Sequence, residues 1–329
     1  MLTQAECFAG LGGFRAAAEQ NHIATVWSCE IDPYARKGYA ALWGEAPTEE
    51  DITKVVADSI PDFDILTGGF PCQSFSIAGV SKLGSLGREH GFADPTRGTL
   101  FFDLCRILDA KRPAAFVFEN VKNLVSHDKG NTFATILEAL TVRGYRVGYR
   151  VVDAAGWLPQ HRERVYIVGF RDGQDPTAAL WGMEKPVQVP DFGLDILQSE
   201  APAKYTLTDG TWACLQRHKA NSKAKGNGFG YGLIEQPYEG KVTRTLSHRY
   251  YKDGGEILLE QPGRNPRRLT PRECMRLMGF SDDRTFRNER KLVENSGLSD
   301  CRLYMGLGNA IAVPPMAELL RKVKGLLAE

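Results

Sequence analysis

The chain is short of paired cysteines, long apolar runs, phosphate-loop motifs and net charge, and each shortage narrows what it can be. Its seven cysteines (Cys7, Cys29, Cys72, Cys105, Cys214, Cys274, Cys301) are scattered, odd in number and never spaced Cys-x-x-Cys. That argues against a zinc site or a redox switch and predicts reduced thiols and no bound metal. No apolar run approaches the roughly 20 residues that cross a bilayer. Met1 to Glu6 has neither the charged start nor the apolar stretch of a secretory signal, so a soluble, cytoplasmic protein is expected. Neither a glycine-lysine phosphate loop nor the spacing of the standard dinucleotide fingerprint is present, which argues against a nucleoside triphosphate. The formal net charge is only +1, but charge is unevenly placed: from Lys204 to Arg272, 13 Lys and Arg stand against 6 Asp and Glu. A basic segment inside a neutral chain is what a phosphate-binding face needs, although ordinary solvated surface accounts for the same count.

What is present is an alternating pattern over 329 residues with 43% hydrophobic content, enough for one large domain or two modest ones. Ile23 to Glu30, Asp64 to Gly69, Ala114 to Phe118 and Arg164 to Phe170 read as strands, and Phe14 to Asn21, Leu100 to Lys111 and Thr132 to Arg143 as helices. The rhythm predicts an α/β sheet with helices on both faces. Only Leu2 to Glu6 precedes the first glycine turn, a poor first strand. Tyr145 to Val152 and Arg164 to Phe170 lack a helix between them and are expected as an antiparallel pair at one sheet edge. Prolines between Asp172 and Pro202 suggest a linker. Lys204 to Gly263 reads as a small irregular β-rich unit with short pieces at Lys241 to Leu246 and Glu256 to Leu259. Thr270-Pro271-Arg272-Glu273 opens a helix with its own cap, and Val313 to Leu327 is an amphipathic helix able to return to the first domain. The expected division is 1–185 for catalysis and cofactor, 186–300 for target recognition, and 301–329 returning to the catalytic domain.

Three segments carry chemistry. Phe70-Pro71-Cys72-Gln73 puts a cysteine just past a strand end, where the turn formed with Gly68-Gly69 would hold its sulfur out; a thiolate there can add to a polarised ring. For an isolated cysteine, a buried structural role is the better reading. Glu119 follows the apolar run Ala114 to Phe118 and would act as acid or hydrogen-bond partner to a ring nitrogen, with Asn120 fixing the loop. In an open parallel sheet both side chains arrive in one crevice. Phe8-Ala9-Gly10-Leu11-Gly12-Gly13-Phe14 is a turn that admits a ligand close to the backbone. Glu30, about twenty residues on, suits ribose hydroxyls, and Asp51 suits an adenine amino group. In Gln160-His161-Arg162-Glu163-Arg164 the two arginines share a face by strand period, for a base carbonyl and a phosphate or for two surface ion pairs; His161 reads as solvent-exposed.

With these residues in hand, the chain resembles the DNA cytosine-5 methyltransferase family over nearly its whole length and in the family's motif order. Phe8 to Phe14 looks like the methyl-donor loop and Cys29 to Asp32 the ribose-binding acid. Gly69 to Gln73 resembles the nucleophile loop, Glu119-Asn120-Val121 the acid motif and Gln160 to Arg164 the arginine motif. Arg268 to Phe280 resembles the helix after the recognition region, and Gly308 to Pro314 the closing motif. Glu6 stands where the family usually has aspartate, and Ala310 where serine is frequent.

The resemblance implies an S-adenosylmethionine-dependent, Rossmann-like mixed sheet with a small β-rich target-recognition domain. It implies methylation of cytosine carbon 5 in duplex DNA by base flipping. Cys72 would add to carbon 6, with Gln73 beside it, while Glu119 serves ring nitrogen 3, Arg164 the base carbonyl, and Arg162 the backbone or the loop. The cofactor would lie along Phe8, Ala9, Gly10, Leu11 and Gly13. It would also meet Glu30, Ile31, Asp51 and Ile52, and Pro71, Leu100, Asn309 and Ala310. DNA would meet Ser74, Ser76, Arg88 and Arg97 in the loop after Cys72, and Lys225, Tyr231, Arg244, Arg249 and Tyr251 in the recognition unit. The glycine-rich stretch Val80 to Phe92 resembles the branch acting on CCNGG or CCGG sites, so a GC-rich palindrome beginning CC is expected. A monomer is expected, linked to a restriction nuclease genetically rather than physically. Three rivals remain: a transfer-RNA cytosine-5 methyltransferase, a DNA-binding regulator, and a cysteine hydrolase, for which no histidine has an obvious orienting partner.

Overall fold

The thinly supported first strand lies inside the sheet. In this computed structural model, which describes residues 1–71, 100–226, 230–281 and 287–328, Thr3–Cys7 (β1) leads through a glycine turn into Gly13–Glu19 (α1). Ala24–Cys29 (β2) and Pro33–Trp43 (α2) follow, then Ile65–Gly68 (β3), Leu100–Lys111 (α3), Ala115–Val121 (β4) and Asn131–Thr141 (α4). Arg146–Asp153 (β5) and Glu163–Phe170 (β6) complete a six-stranded sheet of order β2-β1-β3-β4-β6-β5. The first four of these positions are parallel, and β6 runs antiparallel to both β4 and β5. The expected edge pair is therefore present, with β5 outermost.

Strand period assigns the two faces. Along β4, Ala115 and Val117 join one core while Phe116 and Phe118 join the other; on β6, Tyr166, Val168 and Phe170 alternate with Val165 and Ile167 in the same way. One face is covered by α1 and by Val313–Leu327, through Ala17, Ala18, Leu319, Leu320 and Val323. The other is covered by α3 and α4 through Leu104, Leu108, Ile136 and Leu140. Each fully buried Leu, Ile or Val side chain among these stabilises the fold by about 1.5–3 kcal/mol.

Two expectations are corrected. Residues 172–202 are not a plain linker: Pro176–Trp181 (α5) packs on β5 and β6, and Phe192 and Ile196 are buried in the core. Within 204–263, Asp209–Ala224 (α6) is a 16-residue helix with no buried residue, and 241–246 forms no strand. Its polar residues carry no helical stripe, so periodicity had nothing to report. The β content there is a three-stranded sheet, Leu233–Ile234 (β7), Leu258–Gln261 (β8) and Arg264–Arg268 (β9). Helix α2 was missed although Asp32-Pro33 announces it: the Asp32 carboxylate accepts from Tyr34 N and Ala35 N at 2.7 and 3.0 Å.

Pro271–Leu277 (α7) begins as expected, with Thr270 and Glu273 closing a capping box. The Glu273 carboxylate is wholly buried and is held by Arg267 through two 2.8 Å hydrogen bonds. Asp300–Asn309 (α8) leads into Val313–Leu327 (α9), which lies along α1; Asn21 Nδ2 donates to Ala317 O at 2.8 Å. Among the described residues no helix is long and apolar enough to cross a membrane.

Candidate active site

The carboxyl ends of β1, β2 and β3 meet the N-terminus of α1. Gly12 (φ 81) occupies a left-handed turn where a Cβ would fall 2.2 Å from Trp43 Nε1, a ring that itself donates to Leu11 O. Phe8 is also left-handed, at φ 56, a conformation a bulky residue adopts only where its surroundings impose it. Glu30, at the end of β2, accepts from Gly10 N at 2.8 Å and from Asp32 N at 2.7 Å, so one carboxylate ties the glycine turn to the start of α2. The loop through Asp51 is bound to β2 by Glu30 N donating to Glu49 O, and the Asp51 carboxylate accepts from Thr53, which holds it below its ordinary range. Ile31 is exposed and Ile52 buried; Asn309 is exposed and Ala310 buried in the segment after α8. Ile311 presses on the turn, so a Cβ on Gly13 would fall 2.5 Å from it.

Beneath the turn lies Glu6, with no exposed surface. Its Oε1 accepts from Phe14 N and Arg15 N at 3.1 and 3.2 Å, serving the N-terminus of α1, while Oε2 has no partner among the described residues. Burial pushes this carboxyl up to about 8, against the pull of those hydrogen bonds.

Forty-odd residues beyond β3 in sequence, β4 delivers Glu119 to the same end of the sheet. Val121 faces Arg164 across β4 and β6, and the Arg164 side chain reaches diagonally to Glu119, Nε to Oε1 at 2.9 Å. Glu119 Oε2 lies 3.6 Å from where a side chain on Gly69 would begin, directly beyond β3. Burial raises the Glu119 carboxyl despite the opposing charges of Arg164 and Arg162. Asn120 points to the opposite side and donates to Phe70 O at 2.8 Å, anchoring the segment that leads into Pro71.

The arginine motif divides its work. Gln160 Nε2 donates to Leu277 O and its Oε1 accepts from Leu246 N. Arg162, 2% exposed, donates to Leu246 O, Gly308 O and Ala310 O at 2.8, 3.1 and 2.6 Å. The Arg162 fork is spent on these three carbonyls and fastens the closing segment to β6. Only Arg164 joins Glu119. A cavity of about 690 Å³ opens beside this pair, lined by Lys122, Asp153, His161, Arg164 and Arg244 among others.

A model of C-5 cytosine-specific DNA methylases matches residues 2–325. The chain belongs to this family. The type II methyltransferase M1.ScrFI of Lactococcus lactis subsp. cremoris is 44% identical over 324 residues, covering 98% of this chain and 78% of that protein. M.NlaX of Neisseria lactamica is 44% identical over 326 residues, 98% of this chain and 96% of the other. The fold is that of the S. pombe Dnmt2 methyltransferase, with a TM-score of 0.74 at 19% identity over 99% of each chain. This methylase is thus a DNA (cytosine-5-)-methyltransferase of the restriction-modification type, from a family whose methyl donor is S-adenosylmethionine.

Of the other residues singled out in the methylase sequence, Cys72, Gln73, Ser74, Ser76, Arg88 and Arg97 lie outside the described residues. Leu100 begins α3 and is half-buried, and Pro71 is exposed. In the recognition region, Arg244 donates to Gly230 O and reaches the cavity. Tyr231 stacks edge-on to Trp212 beneath Lys219, Tyr251 is half-buried, and Lys225 and Arg249 are exposed. Sequence reasoning missed the Asp153–His161 pair, 2.8 Å between Oδ2 and Nδ1, because the partners sit on different elements eight residues apart.

Proposed function

We propose that the methylase flips a cytosine out of duplex DNA and seats it between the Gly69–Pro71 segment and Glu119, where Cys72 adds to carbon 6. The observation that carries this reading is the Glu119–Arg164 pair at 2.9 Å, buried beside the end of β3. Burial raises the Glu119 carboxyl, which favours its protonated form and suits it to deliver a proton to ring nitrogen 3, while the guanidinium serves the base carbonyl. As the thiolate forms the bond to carbon 6, the pair of the 5,6 double bond moves to carbon 5, which would then take the methyl group as the donor's sulfur–methyl bond breaks and its electron pair stays on sulfur. Transfer of the carbon-5 proton to solvent water then restores the double bond and expels the thiolate, and ring nitrogen 3 returns its proton to Glu119. Flipping costs a few kcal/mol of unstacking and unpairing.

S-adenosylmethionine, when bound, supplies a methyl carbon made electrophilic by its sulfonium. The residues fit it: the strained turn at Phe8–Gly10 is open to a ligand, Glu30 retains acceptor capacity for hydroxyls, and the half-buried Asp51, tied to Thr53 and Lys54, presents a carboxylate acceptor. Ala9, Leu11, Gly13, Ile31, Ile52, Pro71, Leu100, Asn309 and Ala310 would complete that surface. We assign duplex DNA to the basic recognition region and take the target as a palindrome beginning CC. The chain divides as 1–185, 186–300 and 301–329 and works as a cytoplasmic monomer.

The test is transfer of labelled methyl to unmethylated duplex DNA and to transfer RNA, with base-resolution mapping and a Cys72→Ser control. Methylation at one CC-containing duplex site, lost in the control, is expected. Labelled RNA with unlabelled DNA would overturn the substrate, and a Cys72→Ser enzyme that still methylates would overturn the nucleophile.

A further inference from the structure

We propose that His161 is a substrate-binding residue whose imidazolium holds a DNA backbone phosphate at the mouth of the active-site cavity. The inference rests on the reading that DNA occupies this cleft.

Asp153 ends β5 and is fixed by its surroundings. Its Oδ1 accepts from Ala155 N at 3.1 Å and Arg162 N at 2.9 Å, and its Oδ2 faces His161 Nδ1 at 2.8 Å. Partial burial works against the anion, yet the hydrogen bonds from His161 and from the two amides hold the Asp153 carboxyl below its ordinary range. The histidine backbone is clamped as well: His161 N donates to Thr243 O at 2.9 Å, and Thr245 Oγ1 donates to His161 O at 2.6 Å.

An ionised carboxylate only accepts, so Nδ1 must carry a proton, and Nε2 of the neutral ring is then a lone pair. A phosphate oxygen is repelled by that lone pair and bound by the protonated nitrogen, so the contact takes up one proton. The neighbours leave the role open. Lys122 is paired with Glu163 at 2.8 and 2.9 Å, Arg164 with Glu119, and Arg244 donates to Gly230 O. The cavity wall thus holds three cations, Lys122, Arg164 and Arg244, against Asp153 and Glu163. A protonated His161, whose side chain is 64% exposed, adds a positive charge beside the flipped-base site without a competing partner for Nε2 among the described residues.

The experiment measures the affinity of the full chain for a short duplex carrying a site that the wild-type enzyme has been shown to methylate. A salt series is run at about pH 6 and about pH 8, the interval across which histidine changes charge. Each phosphate neutralised adds about 0.9 to the slope of log affinity against log salt. For wild type the slope should be steeper by about that amount at the lower pH. His161→Asn should erase the difference, and His161→Lys should give the steep slope at both. In Asp153→Asn the amide would face Nδ1 as a donor and leave the hydrogen on Nε2, so binding at the higher pH should strengthen rather than fail. Urea midpoints of the variants establish that each is folded. A pH-dependent slope that survives His161→Asn, or a shallow slope in His161→Lys, would overturn the contact. A wild-type enzyme that methylates no duplex overturns the reading of the cleft instead.

Discussion

Two buried carboxyls on one face of the sheet meet different fates because of what lies beside them. Glu6 caps a helix and, among the described residues, has no cation in contact with its free oxygen, whereas Glu119 is paired with Arg164 and sits where the segment after β3 begins. Both are raised by desolvation, but only Glu119 is paired with a residue that lines the cavity, Arg164. Replacing Glu119 with Gln keeps the shape and removes the transferable proton. The single-turnover rate of methyl transfer should fall by about 10²–10⁴, the range for a positioned acid or base. A loss below tenfold would remove Glu119 from proton transfer. Arg162 and Arg164 make the complementary lesson: identical residues two apart, of which one meets a carboxylate and the other three carbonyls. Strand period places both on one face and is silent about what waits there.

Among elements, β4 is the hinge between packing and chemistry. Its Ala115 to Phe118 run is buried on both faces, and the next two residues turn one side chain to Arg164 and the other to Phe70 O. Asn120→Ala removes the side-chain hydrogen bond from β4 to the segment preceding Cys72 and leaves the Phe70–Phe118 ring contact in place. It should cost about 1–3 kcal/mol, the penalty for leaving a buried group unsatisfied, read from urea unfolding. The single-turnover rate should fall with it, because Phe70–Pro71 loses its anchor; an unchanged midpoint and rate would sink this view. The capping box at Thr270–Glu273 and the amphipathic α9 were legible in sequence because their signals are local. Helix α6 was not, having no apolar stripe to betray it.

Over the whole molecule, burial of acids sets how stability follows pH. Glu6 has a folded value of about 8 against an ordinary 4.5, so its contribution is fully present below about 4.5 and is lost as pH rises through about 8. Glu119 acts in the same direction. Urea midpoints should therefore decline between about pH 5 and about pH 8, and Glu6→Gln should flatten that decline. An equal slope in the variant would show that Glu6 is ionised in the folded state. By itself the sequence determined the alternating α/β framework, the edge pair β5–β6, the helix caps and the ordered motifs that mark a cytosine-5 methylase. These follow from local period, turn chemistry and spacing. Only the tertiary structure decided that the short β1 lies inside the sheet between β2 and β3, that Arg162 fastens the closing segment while Arg164 meets Glu119, and that Asp153 orients His161. Those outcomes depend on which distant residues the sheet order brings within hydrogen-bond range, and on how much water the packing removes from them, quantities that no local pattern encodes.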